Sequence, residues 1–295
     1  MLIVPRCAAC ILDDLEGATR LLIGDEELGY RIMAEALAFL SRDFGRRKMP
    51  SYYITGVHRI LKRLSGLETP FRELRRSANE VGLNIAQSLS LPEDDFERFA
   101  LLVRWAIAAN HLDFRTVGTG YGLTVQAMTE ILAVKVEEGL QIDHTAGIWA
   151  AVKGAAGVLY VLDNVGEIAF DKLLIQEMGR YTDVVAAIRG GPITSDAVME
   201  DAVQVGLDRT VPLIVAGPDT LGISLEEMFD DLREALKTAD LVVTKGQANF
   251  YVMEEYQKAR LGGESQKIAC LFSTKCDPIA AKFHLKGKVN IAALL

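Results

Sequence analysis

Four short segments of this sequence bring acids, amides and lysines to places where a chain can assemble a metal or anion site. They are Asp163-Asn164-Val165-Gly166-Glu167, Thr194-Ser195-Asp196, Lys245-Gly246-Gln247-Ala248-Asn249 and Thr274-Lys275-Cys276-Asp277-Pro278. Carboxylate, amide oxygen and carboxylate from Asp163, Asn164 and Asp196 make a hard, oxygen-only donor set. Such a set suits Mg²⁺, Mn²⁺ or a similar octahedral cation better than structural zinc. Lys245 and Lys275 then neutralise the anionic oxygens of a phosphate ester on that cation, helped by backbone N–H groups near Gly246. Each piece alone has a plainer reading, since an Asp after a strand caps the next helix and a Lys-Gly pair is a solvated turn. Together they point to a site for a metal and an anion.

Each segment follows a short apolar run. The runs GVLYVLD (157–163), DVVAAIRG (183–190), VPLIVAG (211–217), DLVVTKG (240–246), KIACLFS (267–273) and VNIAALL (289–295) are separated by amphipathic stretches. The clearest of these is SLEEMFDDLREALKTA, where Ser224 and Glu227 have capping-box spacing and Leu225, Met228, Phe229, Leu232 and Leu236 share a face. This alternation predicts an α/β fold, a doubly wound, mainly parallel sheet with helices on both faces. Ligands of such sheets bind beyond the carboxyl ends of the strands, where the four segments fall. Neighbours in a strand point to opposite faces, so Asp163 and Asn164 reach one ion only if the chain turns there. Val165-Gly166 supplies the turn. Asp196 follows Asp163 by 33 residues (196 − 163), about one βαβ unit, and returns to the same edge if the two strands are adjacent.

Before residue 150 the patterns are helical. Asp25 caps a segment with Leu28, Ile32, Met33, Leu37 and Leu40 on one face, ending near Gly45. A second helix follows Pro50, carries Ile54, Val57, Ile60, Leu61 and Leu64, and stops at Gly66. A third runs from Pro70 to about Leu89, and a fourth from Asp94 to Asn110. The chain therefore divides into a helical N-terminal region, 1–150, and a Rossmann-like α/β domain, 151–295, that binds metal and phosphate. VGTGYG (117–122) has glycines at alternate positions, but neither a preceding strand nor the spacing of a dinucleotide fingerprint.

Half of the 295 residues are hydrophobic, enough for a sizeable core. No apolar run approaches the roughly 18 residues of a membrane helix. The first apolar residues break at Pro5 and Arg6 and are followed by Asp13, Asp14 and Glu16, unlike a signal peptide, so a cytoplasmic location is expected. The net charge of −8 disfavours broad nucleic-acid binding. Basic clusters at Arg46-Arg47-Lys48 and at Arg72, Arg75 and Arg76 read as solvated helix ends or as attraction for an anionic substrate. Four cysteines are too few for a disulfide scaffold. Cys7 and Cys10 form a C-x-x-C without a second pair, and His58, His111, His144 and His284 are scattered. Packed thiols, half of a zinc site and a redox motif all remain open.

The pieces CAAC, AANHLDF (108–114), LDNVGE (162–167), ITSDAVMEDA (193–202), LVVTKGQANF (241–250) and STKCDPIA (273–280) cover most of the chain. In them the sequence resembles the damage-control phosphatase family, in particular its compact archaeal-type subfamily, which the early C-x-x-C marks. The resemblance implies a metal-dependent phosphoric monoester hydrolase that removes damaged or surplus phosphorylated small metabolites, using manganese, nickel, cobalt or magnesium. By position it implies metal ligands at Asp163, Asn164 and Asp196 and catalytic roles for Asp163, Asp196 and Lys275. Substrate contacts are expected at Asn110, Asp113, Lys245, Gly246, Gln247, Ala248, Asn249 and Lys275. Other branches of the family carry Asp where this chain has Gln247, so their sugar-phosphate preference does not transfer. The expected reaction is attack by water on a metal-bound phosphate, the water oriented by Asp196 or Glu167, with an aspartyl-phosphate on Asp163 as the alternative. An S-adenosylmethionine-dependent methyltransferase and a non-catalytic metal-binding protein are the rival readings. No nucleic-acid or membrane partner is expected, and the sequence leaves the oligomeric state open.

Overall fold

The computed structural model of the chain describes residues 2–113, 125–263 and 265–295. Among the described residues seven strands form one sheet: β1 (Ile142–Asp143), β2 (Gly157–Val161), β3 (Asp183–Ile188), β4 (Leu213–Val215), β5 (Leu241–Lys245), β6 (Lys267–Ser273) and β7 (Asn290–Leu294). Their order is β1-β7-β6-β5-β2-β3-β4. All neighbours are parallel except β6 and β7. All six apolar runs contain a strand; β1, with two residues, is too short to leave a pattern.

The helices before the main sheet are α1 (Cys7–Leu22), α2 (Glu26–Asp43), α3 (Pro50–Ser65), α4 (Arg72–Gln87), α5 (Asp95–Ala108), α6 (Val125–Glu137) and α7 (Thr145–Gly154). Those between and after its strands are α8 (Ile168–Met178), α9 (Met199–Val205), α10 (Asp230–Thr238), α11 (Gln247–Lys258) and α12 (Asp277–Ala280). Local chemistry fixes several ends. Asp25 accepts from the Leu28 N–H at 3.2 Å and Asp94 from Glu97 at 2.9 Å, while α3 begins on Pro50 and stops at Gly66, whose φ is 71°. Among the described residues no helix is long and apolar enough to cross a membrane.

Alternation along β2 distributes its side chains to two cores. Val158 and Tyr160 face the core that also takes Leu15, Ile32, Val57 and Phe99 of the early helices and Phe170 and Leu174 of α8. Leu159 and Val161 face the other, with Leu232 and Leu236 of α10 and Phe250 and Met253 of α11. The early helices thus cover one face of the sheet.

One amphipathic stretch is shorter as a helix than its pattern predicts. Ser224 Oγ does accept from the Glu227 N–H at 3.2 Å, yet α10 starts only at Asp230. The preceding residues are held by tertiary bonds instead. The Phe229 N–H donates to Ala216 O at 3.0 Å, Glu226 pairs with Lys48 at 2.5 Å and Glu227 with Arg59 at 2.9 Å.

The turn after β2 is packed directly on α4. Gly166 has φ of +78°, and a Cβ on Gly82 would stand 2.2 Å from Gly166 O. Asn79 Oδ1 accepts from the Gly166 N–H at 2.8 Å, and Arg75 donates to Thr194 O at 2.6 Å and Asp196 O at 2.8 Å. Alanine is intrinsically about 1 kcal/mol better than glycine inside a helix. The contact with Gly166 reverses that preference, because backbone cannot move aside as a side chain can. Gly82→Ala is therefore expected to destabilise the protein by about 1–3 kcal/mol in urea unfolding; a stabilised variant would contradict the packing.

Candidate active site

β2 and β3 are parallel neighbours, with Val161 opposite Ala187, so the segments that follow them emerge side by side. An antiparallel bridge joins Asn164 to Asp196. The Ala197 N–H donates to Asp163 O at 2.8 Å and the Val165 N–H to Ser195 O at 2.9 Å. These bonds bring Asp163, Asn164 and Asp196 together, as one βαβ unit requires. On its other side β2 pairs with β5, and here the order of connections reverses, which in open α/β sheets creates the ligand crevice. Gly246 lies against Asp163: its φ is +81°, and a Cβ would stand 1.7 Å from Asp163 Oδ2. Only glycine fits there.

Asp196 is fully buried. Its Oδ1 accepts from Arg189 Nε at 3.2 Å and the Gly222 N–H at 2.6 Å, and its Oδ2 from Thr194 Oγ1 at 2.7 Å. A carboxylate offers about four acceptor positions, so one remains, on Oδ2. Asn164 Oδ1 accepts from Ser195 Oγ at 2.9 Å, and its Nδ2 donates to Asp163 Oδ2 at 2.8 Å and, at 3.5 Å, to Glu167 Oε2. Asp163 Oδ1 accepts no hydrogen bond among the described residues.

Two expected substrate contacts take other positions. Lys245 has no exposure, and its ammonium donates to Ala106 O at 2.8 Å and Glu167 Oε1 at 2.9 Å and pairs with Asp171 Oδ1 at 3.0 Å. Its three N–H groups are used within the protein, so it anchors Glu167 instead of meeting a phosphate. Asn249 is likewise occupied: Nδ2 donates to Leu162 O and Lys245 O, and Oδ1 accepts from Arg189 Nη2 and the Ile223 N–H. Ala248 packs on Gly222.

The remaining contacts stay at the crevice. Lys275, 34% exposed, reaches Asp113 Oδ2 at 2.5 Å, and Gln247 Oε1 holds the Lys275 N–H at 2.7 Å. Asn110 Nδ2 donates to Glu167 Oε2 at 2.7 Å, so the segment after α5 contributes two side chains to the site. Arg189 is a participant that motif reading passed over. It ends the run DVVAAIRG, and its position directly after a strand is the signal that marks the other site residues.

Among the described residues, Asp163, Glu167, Asp171 and Asp196 are buried here with two cations on their carboxylates, Lys245 and Arg189. The equally buried Arg75 meets Asp196 only at its backbone carbonyl and is balanced by Asp201. Four formal negative charges and two positive ones leave −2 (−4 + 2). The imbalance shows in the acids. Burial, then the charges of Glu167 and Asp196, push the Asp163 carboxyl well above the usual carboxylate range. Burial raises Asp171 to about 7 against the pull of Lys245. Burial opposes the Lys245 charge, but Asp171 and Glu167 outweigh it and raise its pKa. One divalent cation complements the deficit. Asp163 Oδ1, the open position on Asp196 and the Asn164 amide, once its oxygen turns to that side, fit a hard cation that keeps several waters. Among the described residues no three His, Cys, Asp or Glu side chains are grouped so that they could hold a metal ion.

Cys7 and Cys10 lie at the start of α1, Cys7 half-buried and Cys10 exposed, and both are free thiols. Partial desolvation of the Cys10 sulfur, then the neighbouring Asp14, Cys7 and Cys276, raise its pKa although the residue as a whole is exposed, which works against a reactive thiolate. VGTGYG (117–122) lies outside the described residues.

The sequence matches the damage-control phosphatase ARMT1-like domain over residues 3–289. A damage-control phosphatase of Archaeoglobus fulgidus is 33% identical over 285 residues, covering 95% of this chain and 94% of the relative. An uncharacterized protein of Methanocaldococcus jannaschii is 30% identical over 295 residues, covering 98% and 94%. Among solved structures, a DUF89 family protein from Pyrococcus horikoshii matches with a TM-score of 0.87 at 26% identity, covering 99% of this chain and 98% of that one.

Two outcomes follow from the buried charges. Lys245→Met leaves Glu167 and Asp171 without their shared counter-charge and is expected to cost about 3–5 kcal/mol in urea unfolding; a loss below about 1 kcal/mol would contradict the ion-pair geometry. Asp171 has a higher pKa folded, about 7, than unfolded, 3.8. Between these values the folded state binds more protons, so this group's contribution to stability falls as pH rises. In chelator, Asp171→Asn should therefore gain stability relative to wild type as pH rises from 3.8 to about 7; a constant difference would show that Asp171 titrates normally.

Proposed function

Because this chain belongs to the damage-control phosphatase ARMT1-like family, we propose that it hydrolyses phosphate monoesters of small metabolites with a divalent cation held by Asp163, Asn164 and Asp196. A phosphatase role in metabolite damage control comes with the family. The observation that supports metal dependence is the buried formal charge of −2 around a partly open oxygen donor set. Manganese, nickel, cobalt and magnesium are the cations the donor chemistry admits. When bound, such a cation polarises the phosphoryl oxygens and lowers the pKa of a coordinated water.

The chain's own groups supply the rest. Lys275 exchanges its bond to Asp113 for the equatorial phosphoryl oxygens, where charge accumulates during transfer. The first N–H groups of α11, at Gln247 and Ala248, begin beside Asp163 and offer uncharged donors to the same oxygens. The open acceptor position of Asp196 is committed to the cation, which leaves Glu167 to orient the attacking water. Asn110 and Lys245 hold Glu167 in place for that task. In this reading Asp163 acts as a ligand and water attacks the phosphorus directly; a phosphoenzyme trapped on Asp163 would overturn that step.

The test uses p-nitrophenyl phosphate with each cation. Wild type should be inactive in excess chelator and recover when Mn²⁺ is restored. Asp163→Ala should lose at least about 100-fold in kcat/KM while melting normally in chelator. Full activity of that variant, or of wild type in chelator, would refute the proposal.

A further inference from the structure

Arg189 directly follows β3 and is 2% exposed. Its backbone N–H donates to Ala197 O at 3.1 Å, closing the loop that carries Asp196. Its guanidinium donates from Nε to Asp196 Oδ1 at 3.2 Å, and from Nη2 to Leu162 O and Asn249 Oδ1, both at 3.1 Å. Leu162 immediately precedes Asp163, and Asn249 lies on α11 after β5. One planar cation therefore ties together the segments that follow three adjacent strands.

The bonds close into a ring. Asn249 Oδ1 also accepts from the Ile223 N–H at 2.9 Å, and the adjoining Gly222 N–H donates to Asp196 Oδ1 at 2.6 Å. Arg189 and Gly222 thus fill Oδ1 from two sides. The carboxylate is fixed, and its remaining capacity is confined to Oδ2, where Thr194 already takes one position.

We propose that Arg189 is a positioning residue, whose fork orients Asp196 and thereby sets the protein's affinity for the divalent cation. This rests on the metal-dependent reading above. Charge and orientation act in opposite directions. The guanidinium repels a cation nearby, but its positive charge is already set among Asp163, Asp196 and the other buried acids. Hydrogen-bonded neighbours that orient a ligand change metal affinity 10–100-fold, so orientation decides. Lysine separates the two effects, since it keeps the charge and loses the planar fork.

Calorimetric titration with Mn²⁺, without substrate, compares wild type with Arg189→Lys. The variant is expected to bind Mn²⁺ at least tenfold more weakly. Its KM for p-nitrophenyl phosphate at saturating Mn²⁺ should stay within about twofold of wild type, because Arg189 acts through Asp196. Binding weakened by less than tenfold, or a raised KM with unchanged Mn²⁺ affinity, would overturn the assignment. Wild type that binds no Mn²⁺ would instead sink the metal-dependent reading itself. A measurement on wild type covers the case in which the variant does not fold. The Arg189 Nε–H resonance should shift on titration with Mg²⁺ and stay protected from exchange, and an unmoved resonance with Mg²⁺ bound would overturn the proposal.

Discussion

Carboxylates repel one another most strongly where water is excluded, and this protein buries four of them, Asp163, Glu167, Asp171 and Asp196, in one neighbourhood. Two fixed cations are placed among them. Lys245 lies between Glu167 and Asp171, and Arg189 is bonded to Asp196. Lys245 has all three N–H groups engaged, whereas Arg189 keeps Nη1 without a partner among the described residues. What the protein leaves uncompensated lies around Asp163: burial and the charges of Glu167 and Asp196 push its carboxyl well above the ordinary range.

The surrounding architecture follows from keeping this cluster together. Each ligand segment is a strand end, and strand ends separate unless something crosses between them. Here the crossings are polar: the bridge from Asn164 to Asp196, the Arg189 fork, and the amide of Asn249, which reaches both Leu162 and Lys245. Glycines supply the remaining freedom. Gly246 leaves room for the Asp163 carboxylate, and Gly166 takes the left-handed conformation that turns the chain from Asp163 toward Glu167.

Much of this was legible in the sequence because it depends on periodicity and spacing. Six apolar runs became strands, and the interval from Asp163 to Asp196 required adjacent strands, which β2 and β3 are. What was not legible depends on where a long side chain points. Lys245 and Lys275 look equivalent as lysines at strand ends, yet one is buried against Ala106, Glu167 and Asp171 while the other remains partly exposed beside Asp113. Nothing local distinguishes them; the difference comes from α5, which is remote in sequence and covers only the first. The run SLEEMFDDLREALKTA failed as one continuous helix for a related reason. Its early residues had local helical spacing but found stronger partners in Lys48, Arg59 and Ala216.

The contact between Gly82 and Gly166 has a bearing on modularity. All three candidate cation ligands lie in the second half of the chain, which looks on paper like a catalytic unit that could be detached. Yet the turn carrying Asp163 and Asn164 rests on the bare backbone of α4, Asn79 holds its N–H, and Ala106 O accepts a hydrogen bond from the Lys245 ammonium. The helical half thus forms one wall of the mould in which the ligand turn is cast. A catalytic half grafted onto another partner would carry the right residues but lose the surface that gives them their shape, so the two halves are constrained to vary together.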